Sequence, residues 1–499
     1  MKKNLLYYPV IIGVFTFLIW FVIDKGKTLA SKSDRAIHPE LSVTSLPAQA
    51  PATFTPAAPP VEKPAASFVR NIKNPLSLLL LQIIVIFFVS KLFGRLITRI
   101  GQPSVVGEII AGLFLGPSLM GWILPDFSHF IFPKDSLAPL QFLSQIGLIF
   151  FMFLIGMDLD IQNLKNKAQS AIVISHASIV FPYFLGVSLA YILYQDFAPA
   201  GVSFLSFALF MGIAMSITAF PVLARILKER GLTQTPLGAM ALTCAAADDV
   251  TAWCILAAVI AIVKAGNITG ALLTISLSLI FVLVMVYGVR PWLKKEVQKM
   301  GGRKNPNEMI MVTAFFILLA CAWLAEIIGI HALFGAFLAG TIMPKNNTFK
   351  ELLAGKTEDI SVLVLLPLFF AFTGLRTQIG LLNDGHLWAV CGLIIFVAVF
   401  GKFGGSAIAA KITGQSWTDS FSIGALMNTR GLMELIVLNI GYDLGILSAS
   451  IFAILVLMAL ATTLMTNPLL DGIALLAKKR ILPPPIASEH PDKMSKQRN

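Results

Sequence analysis

Charge is what this sequence has least of. Asp, Glu, Lys and Arg together make up 13% of its 499 residues, against 57% hydrophobic. So little charge cannot cover the surface of a soluble globular domain, and the composition points to a polytopic membrane protein. Cysteine is scarce too. Cys244, Cys254, Cys321 and Cys391 each lie inside an apolar run. That excludes a disulfide framework and any metal-ligand spacing, and leaves them as small packing residues. His176 and His331 stand singly, without clustered carboxylates, so packing or hydrogen bonding is expected of them rather than pH sensing. The net charge of +12 is not a nucleic-acid signature, because Lys and Arg fall in short loops between apolar runs, where they set topology. Neither a cofactor nor a nucleic-acid partner is expected.

What the chain does have is long apolar runs. Lys2 and Lys3 precede the first, which makes 1–23 a signal anchor or a long signal peptide with Thr28-Leu-Ala30 as a cleavage candidate. Residues 24–74 are rich in Ala, Pro, Ser and Thr without apolar period, and read as a disordered linker outside the cytoplasm. A transmembrane domain over 75–470 follows, with runs of spanning length at 76–97, 105–123, 138–157, 170–194, 202–224, 239–263, 268–289, 309–328, 330–343, 360–375, 388–410, 421–440 and 449–470. The expected fold is all-α, with thirteen core helices after the N-terminal one.

Alternate loops carry the positive charge. Arg95, Arg99, Lys165, Lys167, Arg225, Lys228, Arg230, Arg290, Lys294, Lys295, Lys299, Arg303, Lys304, Lys345, Lys350, Lys356, Lys411, Lys478, Lys479 and Arg480 fall on one side, and Lys134, Lys264 and Arg376 on the other. By the positive-inside rule the C-terminus is cytoplasmic. Residues 471–499 read as a short cytoplasmic tail, with no nucleotide-binding or other regulatory domain expected there.

Against this apolar background stands Thr243-Cys-Ala-Ala-Ala-Asp-Asp-Val-Thr-Ala-Trp253. Asp248 and Asp249 fall mid-run. A carboxylate at that depth costs several kcal/mol, and its neighbour adds like-charge repulsion. Such residues mark an intramembrane cation or proton site; the bland alternative is a capping Asp on a soluble helix.

The count suggests a repeat. Runs one to six (75–263) and eight to thirteen (309–470) form two six-helix halves joined by a linker helix (268–289), an inverted repeat if the second half enters from the opposite side. The fifth run of each half carries a helix breaker. In the first it is Pro221, within Met215-Ser-Ile-Thr-Ala-Phe-Pro-Val222. In the second, Asn428, Thr429 and Gly431 cluster in Met427-Asn-Thr-Arg-Gly-Leu-Met433. Matching broken helices point to a midplane site; a proline kink with a polar packing patch is the plainer reading. Ser216 and Thr218 are candidate cation ligands or simple helix back-bonders. Lys402 lies deep in run eleven, either paired with Asp248 or snorkelling to the cytoplasmic edge. Arg430 and Glu434, four residues apart, read as an internal salt bridge bracing the break. Glu108 and Glu326 read as interfacial.

Several of these stretches resemble the monovalent cation:proton antiporter family 2, especially its plant-type cation/proton exchanger branch and bacterial relatives. They are Ser216-Ile-Thr-Ala-Phe-Pro-Val-Leu-Ala-Arg225, Ala247-Asp-Asp-Val-Thr-Ala-Trp253, Leu366-Pro-Leu-Phe-Phe-Ala-Phe-Thr-Gly-Leu375, Ala425-Leu-Met-Asn-Thr-Arg-Gly-Leu-Met-Glu-Leu-Ile-Val-Leu-Asn439 and Gln102-Pro-Ser-Val-Val-Gly-Glu-Ile-Ile-Ala-Gly-Leu-Phe-Leu-Gly-Pro117. The resemblance covers about 75–470. It implies a transporter rather than an enzyme, in the cell (inner) membrane, as a homodimer. It implies a core bundle shifting like an elevator against a dimerisation bundle, to exchange Na⁺ or K⁺ for H⁺. It also implies that Asp249 is the ion-binding carboxylate and that Asp248 pairs with Lys402. Family members with both acids and the lysine are usually assigned to electrogenic exchange. A channel, or a Na⁺-coupled organic-anion symporter of related design, are the rival readings. The N-terminal anchor and linker lie outside the resemblance and receive no role from it.

Overall fold

The computed structural model describes residues 2–29, 31, 71, 74–158, 168–233, 235–265, 268–299, 308–344, 353, 355 and 357–477. Most of the 24–74 linker, the tail from residue 478, and the loop residues Lys165, Lys167, Arg303, Lys304, Lys345, Lys350 and Lys356 lie outside them. Every regular element among the described residues is helical. A bilayer requires this, because a spanning segment must satisfy its own backbone groups.

The helices are α1 (Lys2–Gly26), α2 (Pro75–Arg99), α3 (Ser104–Leu115), α4 (Met120–Ile123), α5 (Pro125–Ile131), α6 (Leu137–Asp158), α7 (Ala168–Phe197), α8 (Phe204–Ser216), α9 (Phe220–Glu229) and α10 (Pro236–Ala265). Then come α11 (Ile268–Leu283), α12 (Arg290–Lys299), α13 (Glu308–Ile328), α14 (Ala332–Thr341), α15 (Leu366–Arg376), α16 (Gly385–Val399), α17 (Gly405–Ile412), α18 (Trp417–Met427), α19 (Leu432–Asp443) and α20 (Ala449–Leu476). Among the described residues twelve helices are long and apolar enough to cross a membrane, or thirteen when the pair α18/α19, bent by 42°, counts as one span. The expected ninth run is the ten-residue α14, shorter than a span by itself.

Some boundaries differ from those read in the sequence. The run 105–123 is interrupted after Leu115, where Gly116 and Pro117 end α3 before the short α4 begins. The linker helix does not stop at 289. It passes through a π-helical turn, Val284–Val289, into α12, so Arg290, Lys294 and Lys295 are helical rather than in a loop. Arg225 and Lys228 likewise sit on α9. Apolarity marks only the lipid-embedded part of a helix; Lys and Arg are good helix formers and extend it into water.

The helices pack in two groups. α2, α3, α6, α13, α14 and α15 form one bundle; α7 to α10 with α16 to α20 form the other. α11 touches α10 on one side and α13 on the other. Within the first bundle, α3 and α15 approach so closely that a Cβ on Gly374 would stand 2.1 Å from the Gly112 backbone. Lipid gives helices no hydrophobic reason to associate, so such small-residue contacts carry the packing. Polar bonds cross between the bundles near both ends. Arg225 donates to Ser104 Oγ at 2.7 Å and Asn467 to the Gly101 carbonyl at 2.7 Å. At the opposite end Arg376 reaches Asp443 at 2.5 Å and Asn439 at 3.2 Å.

Glu108 is buried on α3 at 8% exposure, with Lys91 and Arg225 as its charged neighbours. Glu326 is exposed, and accepts from the Ala332 N–H at 2.9 Å. His331 Nδ1 accepts from the Leu333 N–H at 3.4 Å, and His176 Nδ1 bonds the Ile172 carbonyl at 2.9 Å.

Candidate cation site

Two interrupted helices cross in the second bundle. The first stops at Ser216, runs extended through Ile217–Ala219 and restarts as α9. Pro221 is the second residue of α9, where its missing N–H is harmless, while its ring would clash with a helical carbonyl four residues back. The second interruption is Thr429–Gly431, between α18 with its C-cap Asn428 and α19. The crossing is bonded backbone to backbone: the Ala219 N–H donates to the Thr429 carbonyl at 3.1 Å.

Each break leaves helix-end carbonyls that a helix interior would satisfy. Cations take up those of α8. Arg430 donates to the Ala214 carbonyl at 2.5 Å and the Met215 carbonyl at 2.6 Å, and to Glu434 at 2.5 Å. The Lys402 ammonium donates to the Ser216 carbonyl, to the Ser178 carbonyl at 2.9 Å and to Asp248 Oδ2 at 3.0 Å. Lys402 sits in a π-helical turn, Phe400–Gly404, between α16 and α17; such turns recur at functional sites. All four charged side chains, Lys402, Asp248, Arg430 and Glu434, are wholly buried.

Asp248 Oδ2 accepts two further bonds, from Ser178 Oγ at 2.6 Å and Thr218 Oγ1 at 2.7 Å. The Thr218 hydroxyl also lies 3.4 Å from the Met427 carbonyl, tying the carboxylate to the second broken helix. Asp249 is different. It is 2% exposed, and neither carboxylate oxygen has a hydrogen-bond partner. Its polar neighbours are Asp248, the Phe220 N–H at the start of α9, and Lys402. Both side-chain polar atoms of the buried Asn428 are unpartnered as well. Buried polar groups are normally satisfied, so a carboxylate with two orphan oxygens is a candidate for binding a cation or a proton.

The structure therefore brings together Asp248, Asp249, Lys402 and Thr218, with Pro221, Asn428 and Thr429 at the breaks. The Ser216 hydroxyl donates to the Ile213 carbonyl at 3.0 Å, the back-bonding geometry. Three participants were missed in the sequence. Ser178 bonds both Asp248 and Lys402 but looks like any small polar residue of a membrane helix. Thr463 and Thr466 of α20 brace the second break: Thr463 donates to the Arg430 carbonyl at 2.6 Å, and Thr466 meets Thr429 at 3.2 Å. Their spacing in Thr462-Thr-Leu-Met-Thr-Asn467 puts the polar groups on one helix face, a signal that was present.

The comparisons agree with this architecture. The sodium/hydrogen exchanger transmembrane family model matches residues 64–472. The Na⁺/H⁺ antiporter NhaS4 of Synechocystis is 46% identical over 401 residues, covering 80% of this chain and 98% of that protein. Cation/H⁺ antiporter 17 of Arabidopsis thaliana is 41% identical over 403 residues, 81% of this chain and 49% of that one. K⁺/H⁺ antiporter 1 of Saccharomyces cerevisiae is 33% identical over 412 residues, 81% of this chain and 47% of that one. The chain thus spans about half the length of its plant and yeast relatives. The solved sodium proton antiporter MjNhaP1 from Methanocaldococcus jannaschii has the same fold, with a TM-score of 0.55 over 79% of this chain and 97% of that one, at 14% identity. The family match, together with the broken-helix crossing and its buried charges, places this multi-pass membrane protein in the sodium/hydrogen exchanger family of transporters.

Proposed function

We propose that the chain is a secondary active antiporter exchanging Na⁺ or K⁺ for H⁺ across the cell (inner) membrane, as a homodimer with its C-terminus in the cytoplasm. The names of its Synechocystis and yeast relatives support that substrate class. The observation that carries the mechanism is Asp249 with both oxygens free beside the crossing. Asp248 already has Lys402 as a counter-charge, so that pair is close to neutral. Asp249 supplies the remaining negative charge, neutralised either by a proton or by an alkali cation. A protonated acid cannot hold the cation, so competition for one carboxylate couples the two fluxes. Thr218 and the Asn428 amide oxygen, beside the two breaks, would complete a cation's shell, while the Ser216 hydroxyl stays back-bonded to Ile213.

In this reading the halves 75–263 and 309–470 are inverted repeats, and the bundle holding the site slides against the other like an elevator. The Asp249 carboxylate would open to one side at a time. The two-bundle packing and the sparse polar bonds between the bundles support it. The test is dequenching of a pH-sensitive dye in everted vesicles on adding Na⁺ or K⁺. Asp249→Asn should abolish the signal; a variant that transports like the parent chain sinks the assignment. Cation flux indifferent to the proton gradient would instead indicate a channel.

A further inference from the structure

One membrane-length helix has no part in the site and lies before residue 64, where the family match begins. It is α1. It packs on α7 and α8, two helices of the bundle that carries Asp248 and Lys402. The contacts lie from its middle to its far end. In the middle, the Phe15 ring stands 5.6 Å from both Phe181 and Phe184 of α7. Phe181 in turn meets Phe400, in the π-turn that holds Lys402, at 5.9 Å. Toward the end of α1, Gly26 is buried so tightly that a Cβ there would stand 1.9 Å from the Phe204 ring. Just beyond it the buried Ser31 hydroxyl donates to the Ala198 carbonyl, after α7, at 2.9 Å. Ile11 and Ile12 share a cavity of about 230 Å³ with α7 and α17. The middle and the far end of α1 are thus seated on the same bundle. The next helix among the described residues, α2, belongs to the other one.

We infer that α1 is a retained membrane helix, an added member of the site bundle that moves with it. Residues 32–73 intervene before α2. About forty residues can reach on the order of 100 Å when extended, far more than any sliding of one bundle past the other needs. α1 can therefore travel with the site while α2 stays with its own bundle. The seating stands on the contacts alone; the motion rests on the elevator reading above.

Crosslinking separates the two. In a chain with its four cysteines replaced by alanine, Phe15→Cys and Phe184→Cys are joined by a short bis-maleimide. A control chain carries Ser104→Cys and Arg225→Cys, whose native side chains bond across the bundles at 2.7 Å. The α1 crosslink should form in most of the full-length protein, and Gly26→Trp, wedged against Phe204, should lower its yield severalfold. Crosslinked protein should exchange cations within about twofold of the uncrosslinked rate, while the control crosslink should slow exchange by about tenfold or more. A mature chain whose mass lacks α1, or a failure to crosslink, overturns the seating. A crosslink that forms and stops exchange overturns the shared motion. If both crosslinks form and neither slows exchange, the elevator reading falls and the claim that α1 moves falls with it, while crosslink yield still reports the seating.

Discussion

Two wholly buried ion pairs lie in one bundle and differ in what surrounds them. Arg430 and Glu434 are four residues apart, flanking the start of α19. Arg430 also donates through Nη1 and Nη2 to two carbonyls of α8, so its fork clamps one broken helix to the other. Arginine stays charged and its geometry is rigid, which suits a clamp. Lys402 and Asp248 come from different helices, the π-turn after α16 and α10. Asp248 adjoins a carboxylate that nothing satisfies. A buried ion pair therefore does not by itself mark the exchanging group. On the function proposed above, the mark is the neighbouring carboxylate with both oxygens orphaned, where Glu434 and Asp248 each leave only one.

The comparison breaks most visibly at Arg430. Arg430→Leu leaves Glu434 charged and unpaired and two carbonyls without donors, a loss of about 3–5 kcal/mol. We expect poor recovery of folded protein, a lower melting temperature in detergent and no exchange. Arg430→Leu with Glu434→Leu should recover more than half of the lost stability, because no lone charge remains. A single variant that melts and transports normally would show that the pair is no brace. Asp249→Asn should do the reverse. Exchange should vanish while the melting temperature holds or rises, since an unpaired buried charge has been removed at no loss of a bond. Equal loss of stability in the two variants would erase the distinction between clamp and exchanger.

That distinction was half legible beforehand. Adjacent Asp248 and Asp249 stand out because an apolar run makes any carboxylate conspicuous, and Pro221 and the Asn428–Gly431 cluster announce breaks for the same reason. Helix existence follows from run length, so the core helices were readable in order. Partners were not. Arg430 and Glu434 satisfy the i, i+4 rule, and that local rule hides the bonds Arg430 makes across the crossing to Ala214 and Met215. Ser178 is closer to invisible, since serine in a membrane helix ordinarily bonds its own backbone, as Ser178 also does to Ser175 at 2.7 Å. Its role depends on which helices meet, and residue type does not encode that.

The smaller predictions sharpen the Lys402–Asp248 side. Lys402→Ala strands Asp248 and should cost about 2–4 kcal/mol with exchange reduced about tenfold. Lys402→Met with Asp248→Asn removes both charges, and should restore most of the stability while Asp249 still exchanges. In vesicles with a clamped membrane potential, that double variant should keep the parent chain's dependence on voltage, since it removes a pair that is close to neutral. A changed voltage dependence would show that Lys402 and Asp248 do not move as a neutral pair.

The smallest effect is expected at Ser178. Ser178→Ala deletes one hydroxyl bond to Asp248 and leaves the Ser178 carbonyl holding Lys402, so the fold should lose only about 1 kcal/mol. Asp248 keeps Thr218 and Lys402 but sits more loosely beside Asp249. The apparent affinity for the cation should fall a few-fold with the maximal rate held, and Ser178→Thr, which keeps the hydroxyl, should recover it. A structural serine would lower the amount of active protein, and hence the rate, without moving the affinity. That split decides whether Ser178 positions the acid pair or only fills space between α7 and α10.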